Sequence, residues 1–375
     1  MFYLDNSATT PLGVKAKEKI EEMLSNFGNP SSLHSVGLLA EKEVTLAREI
    51  IAKSLSSRPD EIFFTSGGTE SDNIAILSSA KKNSKIAKKI ITTDSEHPAV
   101  SKTVDALEKE GYEVIRLSTR RGKIDLDEVE RNADGVALVT IMRTNNETGA
   151  IYDIKAISDI VKKHSPRAIV HSDCVQAYMK ERISLSSLGA DIISVSGHKV
   201  HALKGVGVLA IRKGLVLPNV IFGGGQEKGV RSGTENTVGI ASMGASVAEL
   251  IEDKGREERV KELYSYTLTK LSEIDGVTFN IPENPSPYIV NISLVGNRSE
   301  VILHKLSQNE VYVSSGSACS SHSGKSHVLE AFGLSVKEQD SALRISFSSL
   351  NTKEDVDALK ISLEEILSKC KMRNA

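Results

Sequence analysis

Short apolar runs alternate regularly with longer amphipathic runs between Glu61 and Ile211, and no other feature constrains the fold of this chain as strongly. The apolar runs are rich in β-branched residues, which is typical of strands, and the runs between them have the period of helices. This alternation predicts an α/β fold around a mostly parallel sheet. The predicted strands are Glu61–Thr65, Lys89–Thr93, Glu113–Leu117, Val136–Met142, Ala168–Ser172, Asp191–Val195 and Val206–Ile211. The predicted helices among them include Ser71–Ala80, Ala99–Glu110, Leu126–Asn132 and Ile154–Lys163.

The pattern changes in the last third of the chain, which indicates a second domain. Met243–Asp275 predicts one long charged helix, and the Pro-rich stretch Pro282–Pro287 predicts a turn. Short strands and a final helix, Lys353–Lys371, follow, and we expect the N-terminus to pack with them. The expected boundaries are 13–245 for a large α/β domain, and 1–12 with 246–375 for a small α+β domain.

The composition argues against several classes of protein. A formal net charge of −2 gives no electrostatic footprint for nucleic acid or acidic membranes. No apolar run approaches the roughly 18–20 residues that a membrane helix needs, and Met1–Asn6 lacks the basic and apolar regions of a signal peptide. Three cysteines, Cys174, Cys319 and Cys370, cannot form a closed disulfide framework. We therefore expect a cytoplasmic protein that binds neither nucleic acid nor membranes.

Lys199 is a candidate catalytic residue because of where it falls in the pattern. It comes just after the predicted strand Asp191–Val195, and the end of a buried strand is a poor place for an uncompensated ammonium. One use of such a lysine is covalent: desolvation lowers the pKa, and the free amine forms a Schiff base with an aldehyde cofactor such as pyridoxal phosphate (PLP). The alternative is an ordinary surface lysine in a turn.

A candidate phosphate site follows the strand Glu61–Thr65. Gly67-Gly68-Thr69 predicts a tight turn, and a helical pattern from Glu70 to Ala80 comes next. Backbone N–H groups and the helix dipole would then point at an anion, although glycines also occur in such turns for steric reasons alone. The hydroxyls of Thr69 and Ser196, with His198, are candidates to complete a phosphate cup.

Other polar residues also come at the ends of predicted strands. An aspartate in the position of Asp173 needs a cation such as a protonated pyridine nitrogen, or else it caps a following helix. Gln176 would donate to the phenolic oxygen of the same ring, and His97 would stack on the ring or have a structural role. Asn145–Gly149 forms a further polar turn. Ligands of open α/β sheets bind at the carboxyl ends of strands, which favours one shared site.

A series of short motifs runs along the chain almost from end to end. They are LDNSATTP at Leu4–Pro11, GNPSSLH at Gly28–His34, FTSGGTESDN at Phe64–Asn73, SEHPAV at Ser95–Val100, NNETG at Asn145–Gly149, SGHK at Ser196–Lys199, KGVG at Lys204–Gly207, GGGQEKGVRSGTEN at Gly223–Asn236 and SSGSACSS at Ser314–Ser321. In this order they resemble the PLP-dependent cysteine desulfurases, the NifS/IscS-like branch of the class V aminotransferases. The resemblance implies PLP fold type I, with a mostly parallel seven-stranded sheet in the large domain and a smaller α+β domain.

The resemblance also implies how PLP is held. Lys199 would carry the cofactor, Asp173 would pair with the ring nitrogen, and Gln176 would contact the phenolic oxygen. His97 would stack on the ring and take part in catalysis. The remaining residues implied to bind the cofactor are Gly68, Thr69, Asn146, Ser196 and His198.

Two further implications concern the partner subunit and the substrate. Thr234 would reach the phosphate of the neighbouring subunit, which implies a homodimer. Asn146 and Arg344 would bind the carboxylate of the substrate L-cysteine, a role that suits the bidentate geometry of a guanidinium. From its position alone, Arg344 would also suit a surface ion pair.

Cys319 is the residue that distinguishes a desulfurase from other class V enzymes. It lies among small polar residues typical of an exposed loop, whereas Cys174 follows a buried strand and suits an inert thiol. The resemblance implies that Lys199 removes the α-proton, that the Cys319 thiolate takes the substrate sulfur as a persulfide, and that alanine is released. An acceptor such as an iron–sulfur scaffold protein would then collect the sulfur.

Two departures from the family pattern keep other functions open. Ala202-Leu203 stands where the family has Gly-Pro, so we expect a different loop path after Lys199. Arg143 adds a cation, which we expect at the mouth of the substrate site. The alternatives are a selenocysteine lyase or another class V reaction such as transamination, and a catalytically weak paralogue that acts in a sulfur-transfer complex.

Overall fold

The computed structural model describes residues 1–316 and 326–374. The strands in these ranges are β1 (Phe2–Tyr3), β2 (Ile62–Thr65), β3 (Lys89–Thr93), β4 (Glu113–Leu117), β5 (Val136–Thr140), β6 (Ile169–Asp173), β7 (Ile192–Ser196), β8 (Gly207–Ile211), β9 (Thr278–Phe279), β10 (Ile289–Ser293), β11 (Val311–Tyr312) and β12 (Ala342–Ser346). The α-helices are α1 (Val14–Leu24), α2 (Ser35–Ser54), α3 (Gly68–Asn83), α4 (Pro98–Lys109), α5 (Leu126–Asn132), α6 (Ile154–His164), α7 (Leu185–Leu188), α8 (Thr237–Glu252), α9 (Arg256–Ser272), α10 (Ser299–Gln308), α11 (His327–Phe332), α12 (Val336–Asp340) and α13 (Lys353–Asn374).

The largest sheet in the described ranges has seven strands in the order β2-β8-β7-β6-β5-β3-β4. Only β8 runs antiparallel to its neighbours, β2 and β7, and the other pairs are parallel. Every residue of β5, β6, β7 and β8 is buried, because helices cover both faces of a parallel sheet. The prediction of an α/β fold around a mostly parallel seven-stranded sheet is confirmed.

A separate hydrophobic core forms around a smaller antiparallel sheet of order β12-β10-β9. Apolar residues of α9, α10 and α13 pack there, and Leu4 from the N-terminus is fully buried among them. The N-terminus is also held by the parallel pairing of β1 with β11. The expected packing of the N-terminus with the last third of the chain is therefore observed, while the division at 12/13 and 245/246 stays a prediction.

The prediction of one helix over Met243–Asp275 is wrong. Helix α8 ends at Glu252 and α9 begins at Arg256. Asp253 leaves the helical conformation, with φ −77° and ψ 78°, and the Arg256 guanidinium donates to the carbonyl of Leu250 across the break. The sequences on both sides of Asp253 have the period of a helix, so the pattern predicted one continuous helix and gave no sign of the short break.

Two kinds of feature are absent from the part of the chain that the structure describes. None of its helices is at once long and apolar enough to span a bilayer. Within the same residues, no group of three or more histidine, cysteine, aspartate or glutamate side chains is arranged to hold a metal ion.

Candidate active site

A cavity of about 260 Å³ lies at the carboxyl ends of the central strands, next to the N-terminus of α3. Ten of the twelve predicted site residues line it. They are Gly68, Thr69, His97, Asn146, Asp173, Gln176, Ser196, His198, Lys199 and Arg344. The wall also contains Ser7, Ala8, Asp72, Met142, Thr144 and Val175, which were not predicted as site residues.

Lys199 ends a short 3₁₀ turn, Gly197–Lys199, that follows β7. Its Nζ donates to the carbonyl oxygens of Ser7 and Ala8, both at 2.6 Å. Backbone atoms of the N-terminal segment therefore aim the amine into the cavity. The sequence pattern gave no signal for this contact, because any residue type supplies a backbone carbonyl.

Gln176 lies beside the lysine and shares one of its acceptors. Its Nε2 donates to the carbonyl of Ser7 at 2.9 Å, and its Oε1 accepts from Lys180 Nζ at 2.9 Å. Burial and, to a lesser extent, the nearby charges of Lys199 and Arg344 lower the pKa of Lys180 to about 7. The cavity therefore has a second amine behind its wall.

Asp173 is the last residue of β6 and is buried. Its Oδ1 accepts from the backbone N–H of Val175 at 2.9 Å. The described residues after it form turns and not a helix, so the helix-cap alternative is wrong. Burial raises the pKa of Asp173 to about 6, and the hydrogen bond from Val175 and the charge of Lys199 act in the opposite direction. A cation entering the cavity would stabilise the charged form.

Asp72 is a second buried carboxyl of the cavity wall, only 1% exposed. Among the described residues its Oδ1 has no hydrogen-bond partner, although it lies 3.5 Å from Nε2 of the buried His171. Burial raises the pKa of Asp72, and the charge of Asp173 raises it further. A sequence signal existed: Gly68 and Asp72 are four residues apart, so they lie on one face of α3.

The opposite end of the cavity has the features of an anion site. Helix α3 begins at Gly68, and a side chain there would place Cβ 2.9 Å from Val175 Cγ2, so the close approach requires glycine. Ser196 ends β7, and Thr69 lies exposed at the rim. His198 bonds through Nδ1 to Thr9 Oγ1 at 3.1 Å. Burial lowers the pKa of His198 to about 4, so its ring is neutral at pH 7.

His97 caps the N-terminus of α4, which fixes its tautomer. Its Nδ1 accepts from the backbone N–H of Ala99 at 3.1 Å, so the neutral ring has its proton on Nε2. Burial lowers the pKa of His97 to about 4, with Lys199 adding to the effect. A flat, uncharged imidazole thus forms part of the cavity wall.

Arg344 lies on β12 and is only 1% exposed, so the alternative of a surface ion pair is wrong. Its Nη2 donates to Asp5 Oδ1 at 2.6 Å and its Nη1 to the carbonyl of Asn146 at 3.0 Å. Among the described residues its Nε has no acceptor. A buried N–H of this kind requires a partner, and an anionic ligand in the cavity would provide one.

Arg143 does not lie where we expected it. Its Nε donates to Glu181 Oε2 at 2.9 Å and its Nη1 to the carbonyl of Tyr152 at 2.7 Å. The prediction of an extra cation at the substrate mouth is wrong for the cavity that the structure describes, because Arg143, paired with Glu181, does not line its wall; the neighbouring Thr144 lines the wall instead. After Lys199, Ala202 is buried and its N–H donates to the carbonyl of Gly197.

The structure does not place the two remaining predicted site residues in the cavity wall that it describes. Thr234 is exposed on the surface of the subunit, and Cys319 lies outside the described residues. Described residues on either side of Cys319 in the sequence contact Arg344, which lines the cavity, and Glu147, which follows the lining residue Asn146. Ser314 pairs with Arg344 through two backbone hydrogen bonds, and Ser326 Oγ donates to Glu147 Oε2 at 2.6 Å, one residue after Asn146.

Residues 2–359 match the family model Aminotransferase class-V. A relative named Cysteine desulfurase IscS, from Clostridium botulinum, is 40% identical and aligns over 97% of this chain and 94% of its own length. Among solved structures, a NifS-like protein superposes with a TM-score of 0.92 at 36% identity, covering 98% of this chain and 99% of the other. A structure of SspA in complex with cysteine superposes with a TM-score of 0.81 at 31% identity, covering 94% of this chain and 100% of the other. The chain therefore belongs to the aminotransferase class-V family and, within it, is similar to proteins named cysteine desulfurase.

Proposed function

We propose that this protein is a PLP-dependent cysteine desulfurase that converts L-cysteine into L-alanine and transfers the sulfur through a persulfide on Cys319. The observation that supports this most directly is the composition of one cavity wall. It combines the amine of Lys199, the buried carboxyl of Asp173 and the Nε of Arg344, which has no acceptor among residues 1–316 and 326–374. The similarity to proteins named cysteine desulfurase favours this reaction over selenocysteine cleavage or transamination.

The residues of the cavity fit PLP at each end. Asp173 is a buried carboxyl that gains from a pyridinium cation, and the neutral ring of His97 is suited to stacking. The N-terminus of α3, Ser196 and His198 suit a phosphate. When bound, PLP supplies an electron sink for the reacting carbon.

The protein side chains have separate tasks in the proposed reaction. Arg344 and Asn146 hold the substrate carboxylate, with Arg344 Nε as a free donor for it. Lys199, once its amine is released, removes the proton from the substrate Cα. The Cys319 thiolate attacks the substrate sulfur, so an S–S bond forms while the Cβ–S bond of the substrate breaks.

The test is to incubate the purified holoenzyme with L-cysteine and a thiol reductant and to measure alanine and sulfide together. We expect equal amounts of both over many turnovers. Cys319→Ala should retain bound PLP and lose turnover. Cys174→Ala is the matched control, because Cys174 is fully buried and burial raises the pKa of its thiol, which makes it unreactive.

Full turnover by Cys319→Ala would contradict the assigned role of this cysteine. Neither product from a wild-type protein with bound PLP would contradict the proposed reaction and favour the weak paralogue. A rate with selenocysteine that persists in Cys319→Ala, with no rate on cysteine, would favour a selenocysteine lyase.

The proposal extends to a homodimer and a sulfur acceptor. Thr234 is exposed and lies outside the cavity wall of its own subunit, which suits a contact with the phosphate of the neighbouring subunit. An acceptor such as an iron–sulfur scaffold protein would collect the persulfide sulfur. A cytoplasmic location stays a prediction from the sequence.

A further inference from the structure

We propose that Lys180 is a positioning residue that fixes the side-chain amide of Gln176 with its NH₂ group toward the cofactor ring. The inference rests on the proposed function in one respect, since it takes PLP as the molecule that Gln176 meets in the cavity. It assigns a role to a lysine that does not itself line the cavity.

The oxygen and the nitrogen of the Gln176 side-chain amide each have a hydrogen-bond partner, one a donor and the other an acceptor. Its Oε1 accepts from Lys180 Nζ at 2.9 Å, and its Nε2 donates to the carbonyl of Ser7 at 2.9 Å. The ring of Tyr288 lies 5.7 Å from Lys180 Nζ and helps to hold the ammonium in place. The amide is thus held between a donor on one side and an acceptor on the other.

An ammonium group has three donors and no acceptor. Rotating the Gln176 amide by 180° would set its NH₂ against Lys180 and its oxygen against the carbonyl of Ser7, so both hydrogen bonds would be lost. In its ammonium form Lys180, together with the carbonyl of Ser7, therefore selects the orientation in which Gln176 offers a donor to the cavity. A phenolic oxygen on the cofactor ring requires that donor.

Stability does not explain why a lysine lies at position 180, because its charged form is disfavoured there. Burial and, to a lesser extent, the charges of Lys199 and Arg344 lower its pKa to about 7, with Glu181 acting in the other direction. A partly buried ammonium beside two other cations costs free energy. Residues that are unfavourable for folding in this way are often found at functional sites.

The test is a double-mutant cycle with Lys180→Met and Gln176→Ala, read out on bound PLP without cysteine turnover. The measured quantities are the dissociation constant of PLP and the pH midpoint of its visible absorbance. We expect Lys180→Met to weaken PLP binding by about tenfold, which corresponds to one hydrogen bond, and to move the midpoint. In the Gln176→Ala background the same substitution should change PLP binding by less than about twofold.

Two results would overturn the proposal. One is a full effect of Lys180→Met in the Gln176→Ala background, since the charge would then act on the ring directly. The other is no effect in the wild-type background. Lys180→Arg, which keeps the donors, should restore most of the binding, and Lys109→Met on the exposed face of α4 is the matched control.

Lys180→Gln provides a second neutral side chain should the methionine variant unfold, and thermal unfolding of each holoenzyme identifies such a case. The double-mutant cycle measures PLP binding, so its result can be interpreted even if the protein does not convert cysteine. A wild-type protein that binds PLP and leaves cysteine unchanged would contradict the desulfurase function without affecting the Lys180 comparison.

Discussion

Arg344 Nη2 donates to Asp5 Oδ1 over 2.6 Å, which joins residues 339 positions apart at the wall of the cavity. The side chain of Arg344 is 1% exposed and that of Asp5 20%. The carboxylate neutralises the guanidinium and sets its plane. With Nη1 held by the carbonyl of Asn146, the Nε edge remains for a ligand.

Asp5→Asn should destabilise the folded holoenzyme by about 3 kcal/mol, because it leaves a buried guanidinium without its countercharge. Urea unfolding measures this. Asp105→Asn is the control, because the side chains of the Asp105–Arg116 ion pair are 37% and 34% exposed and a solvent-accessible pair contributes less than about 1 kcal/mol. Equal losses in the two variants would contradict the structural importance of the Asp5 contact. We also expect Asp5→Asn to raise KM for cysteine more than it lowers kcat.

Glu96 should make the protein less stable as the pH rises above the acidic range. Burial raises the pKa of this carboxyl to about 8, from an ordinary value of 4.5, so the folded state binds the proton more tightly than the unfolded state does. The resulting stability is complete below pH 4.5 and is lost as the pH rises toward 8. The loss has an upper limit of about 1.4 kcal/mol per pH unit.

Glu96→Gln should reduce this dependence, because the amide does not ionise. The measurement is the free energy of unfolding at intervals between pH 5 and 8 for the wild type and the variant. Glu113→Gln, at an exposed position on the edge strand β4, is the control and should leave the slope unchanged. Parallel slopes for the wild type and Glu96→Gln would show that Glu96 does not take up its proton on folding.

Ser326→Ala should cost more stability than Ser335→Ala, although both serines cap the N-terminus of a short helix. Loss of a cap costs about 1 kcal/mol. Ser326 also donates to Glu147 at 2.6 Å, and Glu147 is only 1% exposed, so its carboxylate would lose a buried partner. Thermal unfolding of the two variants tests this, and a larger loss in Ser335→Ala would refute it.

Thr234→Val should weaken PLP binding by about tenfold if its hydroxyl contacts the phosphate of the other subunit. Heterodimers of a wild-type subunit with a Lys199→Ala/Thr234→Val subunit have a single lysine-bearing site. PLP should bind that site weakly if Thr234 acts across the interface. Wild-type affinity there would mean that Thr234 acts within its own subunit or not at all.

The sequence predicted the sheet well because its central strands, β5 to β8, are buried on both faces and therefore read as continuous apolar runs. β3 and β4 have the predicted bounds, and β5 is two residues shorter than the predicted strand. The break between α8 and α9 was missed because Asp253 ends the helix without proline and the helical period resumes after it. The pattern of apolar residues reflects burial and helical period, whereas this short break involves a side-chain hydrogen bond from Arg256 to the carbonyl of Leu250, which the pattern does not reveal.

The site residues with chemically distinctive side chains were predicted from the sequence. The contacts that depend on the three-dimensional arrangement of the chain were not. Lys199, Asp173 and Gln176 follow strands and share one cavity. The carbonyls of Ser7 and Ala8 could not be predicted from residue type. Arg143 was misplaced because its partner, Glu181, lies 38 residues away in the sequence, and no local pattern identifies such a pair.

The carbonyls that orient Lys199 belong to Ser7 and Ala8, which lie 192 and 191 positions before the lysine in the sequence. Their segment is held by residues much later in the sequence, because β1 pairs with β11 and the Ser346 N–H donates at 2.7 Å to the carbonyl of Leu4, 342 positions away. Contacts over such sequence distances form late, after a costly loop closure. We therefore expect the lysine to be aligned only in the last steps of folding, so that a partly folded chain would not retain PLP.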